Sequence, residues 1–116
     1  MKDMRDFIEQ GEKVGLVKRI TAEVDPYLEL SHIAKLNEEE RGPALLFENI
    51  KGYSSPVITS VCTTEERLAF IMEQPRDSTL FDLYDSWAKR GETLIPPTWV
   101  DKAPCKENIL LRSEER

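Results

Sequence analysis

The chain has 116 residues and a formal charge of −6, from 16 Lys+Arg against 22 Asp+Glu. It is 40% apolar and 33% charged, which suits one modest core under a solvated surface. A sequence pI of about 4.9 argues against a nucleic-acid binder, and the absence of any run of ~18 apolar residues argues against a membrane span.

The opening Met1 to Gln10 is charged and lacks the apolar stretch of a secretory signal, so a cytoplasmic protein is expected. Residues 3–14 read as a helix with Asp3 as N-cap and with Met4, Phe7, Ile8 and Val14 near one face. Gly11 weakens that helix by about 1 kcal/mol relative to Ala, and Gly15 stands where a glycine stops a helix. Leu16 to Val24 alternates as a strand, although Lys18 shares a parity with the apolar set. Asp25-Pro26 is expected to open a second helix, with Leu28, Ile33 and Leu36 on its apolar side. A charged exit, Asn37 to Arg41, leads to a turn at Gly42-Pro43. Ala44 to Phe47 is a short buried strand, and Glu48 to Tyr53 leaves it by a turn. Pro56 to Cys62 is a further strand. Thr63 and Glu66 have capping-box spacing for a helix that buries Leu68, Ile71 and Met72. Asp77 or Ser78 caps the next helix, which carries Leu80, Phe81, Tyr84, Trp87 and Ala88 and ends at Lys89-Arg90-Gly91. Residues 92–104 are proline-rich and extended, and Lys106 to Arg112 is a last short strand. This order predicts an α+β fold, a small mixed β-sheet with helices packed on it. Residues 3–112 form the single domain and 113–116 a polar tail.

Few residues offer chemistry. The five glycines are dispersed, so no glycine-rich loop cradles a phosphate. His32 is the only histidine, and with Cys62 and Cys105 it falls short of an ordinary four-ligand zinc site. Without a secretory signal the two cysteines are expected as reduced thiols rather than a disulfide. His32 is expected at a helix surface or boundary. Cys62, at a helix start, is either an activated thiol or a buried structural cysteine, and the apolar strand before it favours burial. Cys105 remains open between the same roles. Glu38 to Glu40 and Glu114-Glu115 read as solvated charge runs. Glu48-Asn49 either presents a polar site at a strand end or forms a turn in which Asn takes an unusual backbone conformation; the turn is favoured. Phe81, Tyr84 and Trp87 form an aromatic face that packs internally or against a neighbouring domain rather than stacking a cofactor. These residues alone amount to a small acidic α+β domain with no self-contained active site.

Several segments, in order, resemble the UbiD-type decarboxylases. They are Met4-Arg-Asp-Phe-Ile8, Gly15 to Ile20, Glu23 to Glu29, Gly42-Pro-Ala-Leu-Leu-Phe-Glu-Asn-Ile-Lys-Gly52, Pro56-Val57, Glu66-Arg67-Leu68 and Ala103 to Asn108. The resemblance spans residues 3–111. It departs at Thr59 to Thr63, where the family often carries a glycine in the turn into the next helix. The resemblance implies a non-oxidative carboxy-lyase acting on aromatic or α,β-unsaturated acids. Its complete enzymes use prenylated FMN with manganese and potassium. It also implies that the metal ligands, phosphate contacts and catalytic carboxylates belong to a central flavin-binding domain that begins after the position of Asn108. No catalytic, cofactor-binding or metal-ligating residue is therefore assigned to this chain, and no cofactor is expected in it alone. The expected role is that of an N-terminal domain or small subunit beside a flavin-binding partner, within an oligomer. The alternative is a stand-alone binding or regulatory module derived from the same fold.

Overall fold

A computed structural model describes residues 1–103. Its elements are α1 (Met4–Lys13), β1 (Val17–Ile20), α2 (Glu29–Glu39), β2 (Ala44–Phe47), β3 (Val57–Thr59), α3 (Glu65–Ile71) and α4 (Leu80–Gly91). The predicted order holds through all seven. The expected strand from Lys106 to Arg112, Cys105 and the tail lie outside the described residues.

The three strands form one mixed sheet in the order β1-β2-β3. β1 runs parallel to β2, with Val17 opposite Ala44 and Ile20 opposite Phe47. β3 runs antiparallel to β2, with Leu46 opposite Ile58. All four residues of β2 are buried, because helices cover both faces of the sheet. Strand side chains alternate between faces. Ala44 and Leu46 join Phe7 of α1, Val17, and Ile71 of α3 on one face. Leu45 and Phe47 join Val24, Ile50, and Leu30 and Ile33 of α2 on the other. Phe7 and Phe70 meet edge-on with ring centroids 6.3 Å apart, tying α1 to α3. The expected α+β fold is thus correct, with the sheet as a middle layer.

Local starts and stops differ from expectation in instructive ways. Asp3 caps α1 as expected, accepting from the Arg5 and Asp6 N–H groups at 2.9 Å each. The first strand is shorter than Leu16 to Val24. Pairing ends at Ile20 opposite the end of β2, and only Val24 returns, in a bridge to Ile50. Lys18, the residue out of pattern, is exposed. Asp25-Pro26 does not open α2. The Asp25 carboxylate accepts from the Tyr27 N–H at 2.8 Å and forms a turn, while its own N–H donates to Glu29 at 2.7 Å. The helix begins three residues late, after Leu28 with φ +68, and Leu28 is exposed rather than on an apolar face. Leu36 is also half exposed, so Leu30 and Ile33 carry the burial.

The strand expected over Pro56 to Cys62 reduces to Val57–Thr59, because Ser60 turns the chain with φ +61. This falls in the segment where UbiD-type sequences often have glycine. The cap of α3 is Thr64, not Thr63; Thr64 accepts from the Arg67 N–H. α4 starts from Thr79 rather than Asp77 or Ser78. Thr79 and Asp82 form a reciprocal capping box, with the Thr79 N–H donating to Asp82 at 2.8 Å.

Two features lock elements together. Gly11 lies against β1, and a Cβ there would stand 2.6 Å from Val17 Cγ2. The glycine that weakens the helix is what lets α1 approach the sheet. Arg67 is 2% exposed. Its Nη1 donates to the Gly42 carbonyl at 2.6 Å and its Nη2 to Thr63 Oγ1. Burial pushes the guanidinium below its usual pKa, partly offset by the nearby Glu66 and Glu38 carboxylates. Asn37 completes the corner by donating to the Pro43 carbonyl at 2.8 Å, and Ser60 donates to Glu38 at 2.9 Å. The exit of α2, the entry of β2 and the start of α3 therefore meet at one buried cation.

Three outcomes follow. Gly11→Ala is expected to lower stability by about 1–2 kcal/mol, since overpacking against Val17 exceeds the helix-propensity gain. In a Val17→Ala background the same change should become neutral or stabilising, as urea denaturation of the four proteins would show. Arg67→Met is expected to cost about 2 kcal/mol by leaving the Gly42 carbonyl without its charged donor, whereas exposed Lys35→Met should shift the urea midpoint little. Hydrogen bonds, chiefly from turn and cap groups, hold the Asp25 and Asp82 carboxylates below the usual aspartate range. Glu65 is held below 4.5, first by its own backbone N–H and then by Arg41. Folded values below unfolded ones mean stability is fully present above about pH 5 and is lost as pH falls through the folded values. The urea midpoint should drop between pH 6 and pH 3; an unchanged midpoint would refute this contribution.

Candidate functional site

The residues singled out from sequence do not converge. His32 is exposed on α2, in a shallow recess beside Leu28, Glu29, Ser31 and Lys35. Cys62 is a free thiol, exposed in the turn between β3 and α3, so the expectation of a buried structural cysteine is corrected. The burial that the apolar strand implied ends with the positive-φ turn at Ser60. Of the Glu38 to Glu40 run, Glu38 accepts from Ser60 and Glu39 pairs with Lys35 at 3.8 Å, so two of the three have defined partners.

Glu48 and Asn49 lie outside the turn favoured for them: the Glu48 N–H donates to the Ile20 carbonyl at 3.1 Å, and the turn falls at Lys51-Gly52. Gly52 carries φ +82, while the Asn49 carbonyl accepts the Val24 N–H at 3.0 Å. Glu48 accepts from Arg19 Nη1, and the same guanidinium grips both Glu12 carboxylate oxygens. The register places Arg19 on the α1 face of the sheet, where Glu12 comes from α1 and Glu48 from the end of β2. Hydrogen bonds donated to Glu12 and then to Glu48 hold the Arg19 pKa above its ordinary value, and Arg19 holds Glu12 below its own. The carboxylates are committed to this clamp. Sequence reasoning missed it because its three members are separated in the chain and meet only through strand register.

Among the described residues, no group of three or more His, Cys, Asp or Glu side chains is placed to hold a metal ion. A polar recess between α4 and the following segment is lined by Gln74, Asp85, Ser86, Lys89 and Arg90. Its charges are already engaged: Lys89 pairs with Asp85 at 2.6 Å, and Arg90 donates to the Met72 carbonyl. Both aspartates of the recess are committed, Asp82 to Thr79 and Asp85 to Lys89, so it offers no free carboxylate pair to a divalent cation.

The feature that stands apart is apolar. α4 packs on α3 through Leu83, which meets Ala69 and Met72. The remaining apolar side chains of α4 face outward. Phe81 is 87% exposed, Tyr84 75%, Trp87 69% and Leu80 58%. They rim a groove of roughly 640 Å³ whose floor is Leu68, Met72 and Leu83. The spacing 80, 84, 87 predicted an apolar helix face correctly, but within the described residues this face covers no core. The chain continues from α4 with Leu94, Ile95, Trp99 and Val100 exposed as well. Four large apolar side chains exposed along one helix face are unusual for a monomeric domain and mark an interaction site.

Known proteins place this architecture. Residues 8–87, more than half of the chain, match the family model for the 3-octaprenyl-4-hydroxybenzoate carboxy-lyase N-terminal domain. The vanillic acid decarboxylase of Sedimentibacter hydroxybenzoicus, in its open form, superposes with a TM-score of 0.77 at 30% identity over 93% of this chain. An evolved dimeric form of the UbiD-class enzyme HmfF from Pelotomaculum thermopropionicum, in complex with prFMN, gives 0.70 at 29% identity over 83% of this chain. HmfF in complex with FMN gives 0.65 at 34% identity over 90%. The chain spans only 24%, 21% and 22% of those three proteins respectively. A sheet with helices on both faces, a match to the N-terminal-domain model and agreement with solved UbiD-class decarboxylases lead to one conclusion: the chain belongs to the UbiD N-terminal-domain family.

Proposed function

We propose that this chain serves as the N-terminal domain, or as a small subunit, of a UbiD-class non-oxidative carboxy-lyase acting on an aromatic or α,β-unsaturated carboxylic acid. It supports a flavin-binding catalytic domain and does not catalyse alone. The observation that carries this reading is the extent of the match. Nearly the whole chain aligns with about a quarter of a decarboxylase, and the matching family model is that of an N-terminal domain.

In the complete enzyme, prenylated FMN bound with manganese and potassium would supply, through its flavin, the electron sink for loss of carbon dioxide. The HmfF structure in complex with prFMN supports the flavin part of this reading. The assembly is oligomeric and cytoplasmic in this proposal. The contribution of the present domain is architectural: a rigid layered unit that shapes the approach to the flavin domain and supports its assembly.

Mixing or co-expressing the chain with a UbiD-class flavin-binding polypeptide should give a stable complex with flavin absorbance and decarboxylation of an aromatic acid. The isolated chain should show neither flavin retention nor turnover. Turnover by the chain alone would refute the supporting role, and failure to associate would favour a stand-alone binding module.

A further inference from the structure

We infer that the α4 face formed by Leu80, Phe81, Tyr84 and Trp87 is the surface on which the flavin-binding part of a UbiD-class enzyme docks. This rests on the N-terminal-domain reading above and names the contact that reading requires.

Three observations select this occupant. First, the matched family model is an N-terminal domain, so the roughly three quarters of each solved relative that the chain does not cover lies mainly after it. Second, α4 is the last regular element of the described residues, and the chain leaves it through exposed Leu94, Ile95, Trp99 and Val100. A part of the enzyme that follows is thereby joined close to α4, which raises its effective concentration at that helix. Third, the composition of the face is that of an interface centre: Trp and Tyr supply most binding energy at protein contacts, and a groove floored by Met72 and Leu83 can admit a partner's apolar side chain. A second copy of the chain is the less favoured occupant, because each copy carries a net charge of −6 and the two would repel.

Elsewhere among the described residues Tyr27, Leu28 and Leu36 are also exposed, but the recess beside Leu28 is lined by Glu29, Ser31, His32 and Lys35 as well. Arg19 is engaged by Glu12 and Glu48, and Arg67 by the Gly42 carbonyl and Thr63, with its Nε left without a partner.

The experiment uses the full chain and three single variants: Tyr84→Lys, Trp87→Lys and, as control on α2, Lys35→Ala. Each is titrated against a UbiD-class polypeptide prepared without its own N-terminal segment and verified to retain flavin by absorbance. Sedimentation of each chain alone is measured beside it. Tyr84 and Trp87 are exposed, so circular dichroism should be unchanged. The expected result is association of the parent chain, at least about tenfold weaker binding for both α4 variants, and less than about a twofold change for Lys35→Ala. Equal binding by all four proteins would overturn the docking face and leave the N-terminal-domain reading intact. No binding by any of them would remove both. A dimer of the chain alone that Tyr84→Lys disperses would assign the face to a second copy and overturn the inference.

As a safeguard against a partner that fails to fold, the chain replaces the matching segment of an intact UbiD-class enzyme. There, Tyr84→Lys should lower the melting temperature and Lys35→Ala should not; equal melting would overturn the inference.

Discussion

The structure depends on β2, a four-residue strand with no face toward water. Ala44 and Leu46 look toward α1 and α3, and Leu45 and Phe47 toward α2. A strand buried on both faces must find all its backbone partners within the sheet, so β1 and β3 are obliged to flank it. The parallel β1-β2 pair in turn requires a crossover, which α2 supplies, while β3 returns antiparallel through a loop. Helices on two sides of one short strand let a small domain bury an effective core despite a high fraction of charged residues.

Around that strand the molecule grades from locked to loosely held. At one end, Arg67 is buried with its guanidinium on the Gly42 carbonyl, so the corner joining α2, β2 and α3 resists deformation. At the other, α4 has a single buried residue, Leu83, and leans on α3. The firm half preserves the fold, and the lightly attached half presents the apolar surface. Under the proposed supporting role, a partner would complete the packing of α4, whose apolar side chains other than Leu83 face outward.

Alternation, apolar runs and punctuating residues place all seven described elements in order, because those signals act within a few residues. The family motifs, read jointly, lead to the same fold. Boundaries are less legible. Asp25 and Thr63 look like caps, yet each is recruited elsewhere: Asp25 closes a turn on the Tyr27 N–H, and Thr63 receives Arg67. Tertiary contacts choose between adjacent cap candidates, and a linear reading cannot weigh them. The exposed state of Cys62 follows from one left-handed residue, Ser60, where no glycine announces a turn. The Arg19 clamp is illegible for the same reason, since Glu12, Arg19 and Glu48 become neighbours only once the strands are in register. The aromatic face lies at the other extreme. Its helical spacing is plain in the sequence, and only its lack of a covering core had to come from the structure.

The order β1-β2-β3 has a consequence for how copies of this domain behave when crowded. Among the described residues β1 has a partner on one side only, and an unpaired strand edge is an invitation to sheet extension. This edge is four residues long and carries exposed Lys18 and Arg19. Short length and positive charge are the two commonest guards against edge-to-edge growth. The other edge, β3, is only three residues long, so neither edge gives a neighbouring copy much backbone to pair with.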